Sequence, residues 1–391
     1  MSNGFQVTSS QSWFGRMKGA LTGMLLGLLL IVIAFPFLFW NEGRAVERYK
    51  TLQEGAGLVV SVDPATRNPV NEGQLIHFTG RAETSENVTD PVLGVSENAI
   101  RLGRDVEMYQ WRESSTSETR EKFGGGTETV TTYNYERVWS DRVIDSTRFK
   151  DQTGHRNPGQ MPLSSDSWQA SRVMVGAYRL SSSLIGSISG EEALPVSDNV
   201  TIPASLGSRA RLVNGSIHVG NSQSPAIGDL RINLTIVRPT DVSVIAAQAG
   251  DSLAPFQADA GGTIELLDMG IVSAVAMFKA AELRNKYLTW ALRFAGFMMM
   301  FIGFKLLFGV LRTVAAIVPL VGQIVGTGIS LVSALLAGSL SLVTIAIAWV
   351  FYRPLLGIAI LVVAGLIIWF LFSRMKKADP VLPKTNVATG G

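Results

Sequence analysis

The chain contains three histidines and no cysteine, which restricts the chemistry that its side chains could perform. Without thiols, disulfides, thiolate zinc sites, iron-sulfur clusters and cysteine nucleophiles are all excluded. His77, His155 and His218 lie too far apart in sequence to form a local metal-binding pattern. We therefore expect no metal and no cofactor. A catalytic constellation could involve His155 together with Arg156 and Asn157, which follow it directly.

Three consecutive glycines at positions 124–126 could in principle cradle a phosphate group. A phosphate loop also needs a following lysine and a helix, and neither follows these glycines. The sequence has no nucleophile elbow and no dinucleotide-binding fingerprint either. We therefore interpret the glycines as the flexible tip of a β-hairpin, and we expect the protein not to be an enzyme.

Polar and charged residues also lie beside the long apolar segments, where they could join a membrane region to a domain. This junction set consists of Asn41, Glu42, Gly43, Arg44, Arg353 and Pro354. Solvated charge at a helix end is one interpretation of the residues around Glu42. The other is that Glu42 and Arg44 fix the angle of a domain against the bilayer.

Arg293 and Lys305 lie inside an apolar segment, where charges often belong to an ion or proton path. No aspartate or glutamate occurs in any expected span to pair with them. Each lies one to two turns from an expected helix end. We therefore favour snorkelling of the two side chains to the lipid headgroups.

Small residues recur at every fourth position in two of the apolar segments, and such stripes let helix backbones approach closely. The stripes are Gly19, Gly23 and Gly27, and Gly322, Gly326, Ser330, Ala334 and Gly338. Both predict helix packing or oligomerisation. The sequence leaves open whether the contacts form within one chain or between copies.

The apolar residues make up 47% of the chain and are concentrated towards its two ends. Residues 19–40 carry no charge and, at about 1.5 Å per residue, form a helix of about 33 Å, enough to cross a bilayer. Residues 287–372 are too long for two spans. Pro319 and the Arg353-Pro354 pair divide them into spans at about 288–311, 324–349 and 355–372.

Basic residues dominate both terminal flanks, with Arg16 and Lys18 before the first span and four lysines and arginines after the last. The positive-inside rule therefore places both termini in the cytoplasm, which requires an even number of spans. We expect a membrane α+β protein with one N-terminal and three C-terminal transmembrane helices. The expected order is a cytoplasmic N-terminus (1–18), helix 1 (19–40), an extracytoplasmic β-rich domain (41–286), helices 2–4 (287–372) and a cytoplasmic tail (373–391).

Alternation of apolar and polar residues indicates strands in the domain between the first two spans. It is clearest in Val106–Trp111 and Thr129–Trp139, which flank the three glycines and predict one long hairpin. A shorter strand is expected at Gly57–Val62. The domain ends at 269–286 in an amphipathic helix, which could lie at the membrane surface or in the domain core.

Several motifs resemble the transmembrane protein 43 family, also called LUMA. They are Asn41-Glu42-Gly43-Arg44-Ala45, Val106-Glu107-Met108-Tyr109-Gln110-Trp111, Gly154-His155 with Asn157-Pro158, Gly228-Asp229-Leu230-Arg231 and Phe351-Tyr352-Arg353-Pro354-Leu355. The resemblance implies four spans, termini facing the cytoplasm or nucleoplasm, and a luminal or periplasmic domain. It carries over no catalytic residues.

Animal members of that family are multipass proteins of the endoplasmic reticulum and inner nuclear membrane, and the resemblance implies self-association and organisation of partners such as emerin and lamins. The lack of cysteine and the divergent tails suggest a prokaryotic member in a bacterial inner membrane. The nuclear partners are therefore not transferred.

The favoured hypothesis is a non-enzymatic membrane scaffold that self-associates and organises membrane protein complexes or membrane structure. Its expected partners are membrane lipid, further copies of the chain and unidentified membrane proteins. Nucleic acid is not expected, because the net charge of +3 is small and no basic stripe is present. The alternatives are a transporter, channel or lipid-handling protein, and an extracytoplasmic enzyme using His155.

Overall fold

The structure of the protein is a computed structural model that describes residues 5–197, 200, 202–317 and 319–354. The chain divides into two compact units. The first, called here the β-rich unit, comprises the residues up to 20, 47–286 and 310–326. The second, the helical unit, comprises 21–46, 287–309 and the described residues from 327 onwards.

The strands are short except in the central part of the chain. They are β1 (Phe5–Gln11), β2 (Val60–Ser61), β3 (Leu75–Glu83), β4 (Asn87–Thr89), β5 (Ser96–Asn98), β6 (Arg101–Glu121), β7 (Thr127–Ser140), β8 (Asp166–Gln169), β9 (Met174–Val175), β10 (Tyr178–Arg179), β11 (Glu192–Leu194), β12 (Ala210–Val213), β13 (Ser216–Val219), β14 (Leu230–Val237), β15 (Thr240–Ala249), β16 (Ser252–Ala254), β17 (Phe256–Gln257), β18 (Thr263–Ile264) and β19 (Leu266–Met269).

Five α-helices are assigned in the described residues. They are α1 (Trp13–Leu58), α2 (Ser182–Ser187), α3 (Ala274–Leu307), α4 (Gly309–Ala315) and α5 (Pro319–Tyr352). Within the described ranges, three helical stretches are long and apolar enough to cross a membrane, namely Trp13–Leu58, Ala274–Ala315 and Ile324–Tyr352. The prediction of one N-terminal and several C-terminal apolar helices around a β-rich region is thus confirmed for these three. The expected fourth span at 355–372 lies outside the described residues.

Helix α1 is longer than the apolar pattern indicates. It begins after Ser12, whose Oγ accepts a hydrogen bond from the N–H of Gly15 at 3.3 Å. It contains Pro36 and continues past Trp40 to Leu58 over 46 residues. The strand expected at Gly57–Val62 was therefore wrong for its first two residues, because they belong to this helix.

Two sheets make up most of the β-rich unit. The first follows the order β1-β7-β6-β14-β13-β12, with β11 beside β14 and β8 beside β6. The second follows β19-β15-β16-β10-β9-β3-β2, and β15 also pairs with β3. Because of this additional pairing, the paired strands form a closed ring in the order β3, β9, β10, β16 and β15. Few of the edges of these strands are therefore left unpaired.

The predicted long hairpin is confirmed as β6 and β7, which pair from Met108 opposite Ser140 to Glu121 opposite Thr127. Gly124 and Gly125 adopt φ values of +86° and +79° at its tip, a backbone region that glycine enters without steric cost. Close to the sheet body, β6 alternates buried and less buried residues along its first ten positions. Beyond these positions its residues are mostly exposed.

The β-rich unit has two apolar cores. The larger lies between the two sheets and includes Phe78 of β3, Val106 of β6 and Ile232 of β14. The smaller combines Leu52 of α1 with residues of β3, β15 and the start of α3, including Phe278. The first turns of α3 thus pack into this core, as expected of a core helix, before α3 continues into its apolar part.

Candidate functional site in the helical unit

A buried ion pair lies at the centre of the helical unit. Glu42 of α1 is 2% exposed, and its carboxylate accepts hydrogen bonds from Arg293 of α3 at 2.6 and 2.8 Å. Trp349 of α5 donates its indole N–H to the same carboxylate at 2.8 Å. The guanidinium and carboxylate planes meet in the two-point geometry that gives the strongest ion pairs. One carboxylate therefore connects all three long helices.

Aromatic rings enclose the guanidinium of Arg293. Its central carbon lies 4.8 Å from the ring centroid of Trp290 and 5.6 Å from that of Trp349. The electron-rich faces of indole rings attract cations and partly replace the lost hydration. Because a buried charge is costly without such partners, the arrangement suits a fixed structural latch. We call Glu42, Arg293 and Trp349 the carboxylate latch.

The neighbouring junction residues extend the latch along α1 and α3. Asn41 is fully buried and donates to the carbonyl of Thr289 at 3.2 Å. Arg44 donates to the side chains of Asn41 at 3.3 Å and Thr289 at 3.0 Å. Gly43 leaves room for the ring of Tyr352, since a Cβ at position 43 would lie 2.6 Å from Cζ of that ring.

Two sequence-based interpretations of these charges were wrong. Asn41 and Glu42 are not solvated residues at a helix end, because α1 continues through them and both are buried. Arg293 does not snorkel as an unpaired charge, because Glu42 neutralises it. The acid was missed since it lies two residues beyond the apolar segment that ends at Trp40. Extending each span by one helical turn would have found it.

The other two junction residues lie at the end of α5. Arg353 and Pro354 are exposed at the end of α5, where the backbone N–H of Arg353 donates to the carbonyl of Trp349 at 2.8 Å. Lys305 is also exposed, with its amine 5.5 Å from the ring centroid of Phe301.

The glycine stripe of α1 approaches α3 most closely at its C-terminal end. A Cβ on Gly27 would lie 2.5 Å from the carbonyl oxygen of Gly303 and 2.9 Å from Cβ of Leu306. A Cβ on Gly23 would make an ordinary contact of 3.6 Å with Leu306, and one on Gly19 would meet open space. Gly303 was not part of the predicted stripes, although its spacing from the α3 glycine Gly296 marks the same kind of surface.

The small residues of the α5 stripe lie in different surroundings. A Cβ on Gly322 would lie 2.9 Å from Cα of Ala316, and one on Gly326 would lie 3.2 Å from Nε of Arg312. Ser330, Ala334 and Gly338 are half-buried. The most buried face of this helix is a neighbouring row of small residues. That row consists of Ser333, Ala337, Ser341, Thr344 and Ala348.

The histidines have structural surroundings. His155 stacks on Tyr135 with ring centroids 4.0 Å apart, and its Nδ1 lies 3.2 Å from the carbonyl of Asp151. His77 lies 3.2 Å from the hydroxyl of Ser61 and 2.9 Å from a backbone carbonyl. The pKa of His218 is lowered, first by burial and then by the charge of Arg231.

Asn157 was proposed from sequence as a catalytic neighbour of His155. Its side chain is hydrogen-bonded to backbone groups. Its Oδ1 accepts from the N–H of Trp111 at 2.7 Å, while its amide donates to the carbonyls of Trp111 and Ile144. The Asn157 side chain thus satisfies the backbone N–H and carbonyl of Trp111 in β6, as a neighbouring strand would. Across the part of the chain that the structure describes, no three histidine or carboxylate side chains are placed to hold a metal ion.

Apolar helices that precede and follow a large β-rich region in the sequence define an integral membrane protein with a domain inserted between its membrane segments. The family model described as Transmembrane protein 43 matches residues 108–354. With these matches, and those to the relatives below, the chain belongs to the transmembrane protein 43 family, as its motifs predicted.

Relatives from vertebrates and an insect match nearly the whole chain. Transmembrane protein 43 of Homo sapiens is 36% identical over 372 residues, which cover 92% of this chain and 91% of that protein. The Mus musculus protein is 34% identical, with 87% of each chain covered. The Transmembrane protein 43 homolog of Drosophila melanogaster is 30% identical, covering 88% and 93%. No solved structure matches the chain.

Proposed function

We propose that the chain is a non-enzymatic membrane scaffold that self-associates through its apolar helices and organises membrane protein complexes or membrane structure. Its partners are membrane lipid, copies of itself and further membrane proteins, and nucleic acid is not among them. Both termini lie in the cytoplasm, and the main body of the β-rich domain lies on the other side of the membrane. The membrane is a bacterial inner membrane.

The observation that carries self-association is the surface of α5. Ala334 and Gly338 are half-buried, and Leu331 and Leu335 beside them are 64% and 63% exposed. Small residues between large apolar ones form a shallow groove that a second helix can enter. Gly27 and Gly303 already use close backbone approach within the chain. A scaffold that used the same device between copies would need a surface of this kind.

Replacing Ala334 by leucine tests this surface. The larger side chain fills the groove, so we expect a shift from oligomer to monomer in native mass spectrometry of the detergent-solubilised protein. Val332→Leu is the matched control, because Val332 is 47% exposed on the same helix and its substitution adds bulk outside the groove. A wild-type protein that is strictly monomeric, or an unchanged oligomer in Ala334→Leu, would contradict the proposal.

The alternative function is a transporter, channel or lipid-handling protein. It was motivated by the charges of Arg293 and Lys305 within the apolar segment and by the glycine-rich third span. Since Arg293 is paired with Glu42, Lys305 and the glycine-rich third span are the features that continue to motivate this alternative. The scaffold is therefore preferred.

A further inference from the structure

The tip of the long hairpin contacts the segment that directly precedes the first apolar stretch. Arg16 donates to the carbonyl of Gly125 at 2.6 Å and to the carboxylate of Glu121 at 3.0 Å. Upstream of Arg16, the whole of β1 pairs with β7, from Phe5 opposite Tyr133 to Gln11 opposite Thr127. The N-terminal flank of the first membrane segment is thus held along the outer half of the hairpin.

The segment that follows the second apolar stretch reaches the same tip. The backbone N–H of Gly124 donates to the carbonyl of Ile317 at 3.2 Å, and Trp13 donates its indole N–H to the carbonyl of Thr313 at 3.0 Å. Arg312 lies 3.8 Å from Glu121. The expected four-span topology places both of these flanks on the cytoplasmic side, and they meet at the hairpin tip.

The opposite end of α1 belongs to the body of the same β-rich unit, where Leu52 is buried in the smaller core. From Trp13 to Leu52 the helix rises about 58 Å at about 1.5 Å per residue. The β-rich unit therefore holds residues from both sides of the first apolar stretch. Strand β6 as a whole extends about 66 Å at about 3.3 Å per residue, which is long enough to bridge that distance, and its pairing with β7 from Met108 to Glu121 makes up about 43 Å of that length.

The two faces of the outer half of the hairpin differ in charge. One face carries Glu118, Arg120 and Glu128, together with the ion pair of Arg112 and Glu136 at 2.6 Å. The other face is uncharged between Glu113 and Glu121, and its residues on β6 are Ser115, Ser117 and Thr119. The eight rises from Glu113 to Glu121, at about 3.3 Å each, span about 26 Å, close to the roughly 30 Å of bilayer hydrocarbon.

The hydroxyl groups of the uncharged face are paired across the strands. The Ser117 and Thr131 hydroxyl oxygens lie 2.9 Å apart, and those of Thr119 and Thr129 also lie 2.9 Å apart. Hydroxyls that hydrogen-bond each other lose less on leaving water than unpaired ones. Pairing thus lowers the cost of placing this face in an apolar surrounding, whereas the charged face requires water.

We propose that β1, β7 and the outer part of β6 form a three-stranded ribbon that crosses the bilayer, with its tip on the side of the chain's N-terminus, and that ribbons of other copies of this chain cover its two edges. Among the described residues, β1 pairs only with β7, and β6 beyond Glu113 pairs only with β7. Unpaired backbone groups are not tolerated in hydrocarbon, so both edges need partners.

A second copy is the partner that supplies both missing edges. The β1 edge of one ribbon can pair with the β6 edge of the next, and such head-to-tail contacts repeat until the ring closes. The charged faces would then line the water-filled interior of the ring. The covering of the edges rests on the proposed self-association, whereas the crossing of the bilayer does not.

Single-cysteine labelling tests the crossing, because the chain has no native cysteine. Phe123→Cys reports the tip, Phe14→Cys the N-terminal flank and Val70→Cys the domain body, and these residues are 90%, 79% and 75% exposed. A membrane-impermeant maleimide is applied to sealed vesicles of both orientations. We expect Phe123→Cys and Phe14→Cys to label from one side and Val70→Cys from the other. Labelling of Phe123→Cys from the side of Val70→Cys, or of all three from one side, overturns the crossing.

Disulfide formation tests the covering of the edges. Val7→Cys on β1 is combined in turn with cysteine at Ser115, Ser117 or Thr119 on β6. Within one chain β7 separates these strands by two spacings of about 4.8 Å, which exceeds the roughly 7 Å reach of a disulfide. We expect a ladder of covalent multimers in at least one pair and none in Val7→Cys alone. Monomers in every pair overturn the covering, and a native oligomer in the same preparation shows that self-association itself survives.

Discussion

At the scale of single residues, the most informative groups are charges removed from water. Glu42 and Arg293 lie in the helical unit, while Asp90 and Arg104 form a second buried pair in the β-rich unit. Replacing one member leaves the other charge buried without a partner, which costs far more than losing an exposed pair. Both pairs were invisible to local sequence patterns, because each joins positions that only the fold brings together.

Glu42→Gln should destabilise the helical unit, because the glutamine amide cannot neutralise Arg293. We expect a loss of about 3–5 kcal/mol in the free energy of unfolding, measured by thermal denaturation in detergent micelles. Glu47→Gln provides the control, since Glu47 is an exposed glutamate on the same helix. Equal midpoints for the two variants would show that the carboxylate latch does not hold the helices.

Asp90→Asn should destabilise the β-rich unit to a similar degree, about 3–5 kcal/mol. The Asp90 carboxylate accepts from Arg104 at 2.6 and 2.7 Å and also from the backbone N–H groups of Val92 and Leu93. Asp141→Asn is the matched control, because Asp141 is 70% exposed and 3.9 Å from Arg142. Denaturant unfolding followed by tryptophan fluorescence compares them, and a small effect of Asp90→Asn would refute the importance of this pair.

At the scale of helices and strands, the periodicity of apolar residues predicted the elements that have a regular pattern and missed the one that does not. The hairpin followed from alternation around three glycines, and the apolar helices followed from their composition. The continuation of α1 to Leu58 did not, because residues 41–58 are polar enough to resemble the start of a soluble domain. Their helix is stabilised by packing of residues such as Leu52 into a core formed by distant strands.

Gly27→Leu should disturb the crossing of α1 and α3, because the added side chain would collide with the backbone of Gly303. We expect a lower unfolding temperature or loss of the monodisperse peak in size-exclusion chromatography. Gly19→Leu is the natural control, since a side chain at Gly19 meets open space. The two substitutions change helix propensity equally, so identical behaviour would rule out close packing at Gly27.

At the scale of the whole molecule, the sequence predicted the order of the main parts and the family. Hydropathy alone indicated apolar helices on both sides of a β-rich region, because lipid imposes a strong compositional signal. The carboxylate latch was only half visible: the junction residues were identified, but their partners Arg293 and Trp349 were not assigned to them. Pairings between residues about 250 positions apart leave no local pattern.

The pairing of β1 with β7 also sets an order of events during biosynthesis. Residues 5–11 leave the ribosome well before residues 127–133, with which they pair. At about 5–20 residues per second, the interval is on the order of ten seconds. During that time the first apolar segment has already emerged, while β1 has no complementary strand. The N-terminal strand therefore stays without its partner until β7 has been synthesised, so its pairing follows the emergence of the first apolar segment.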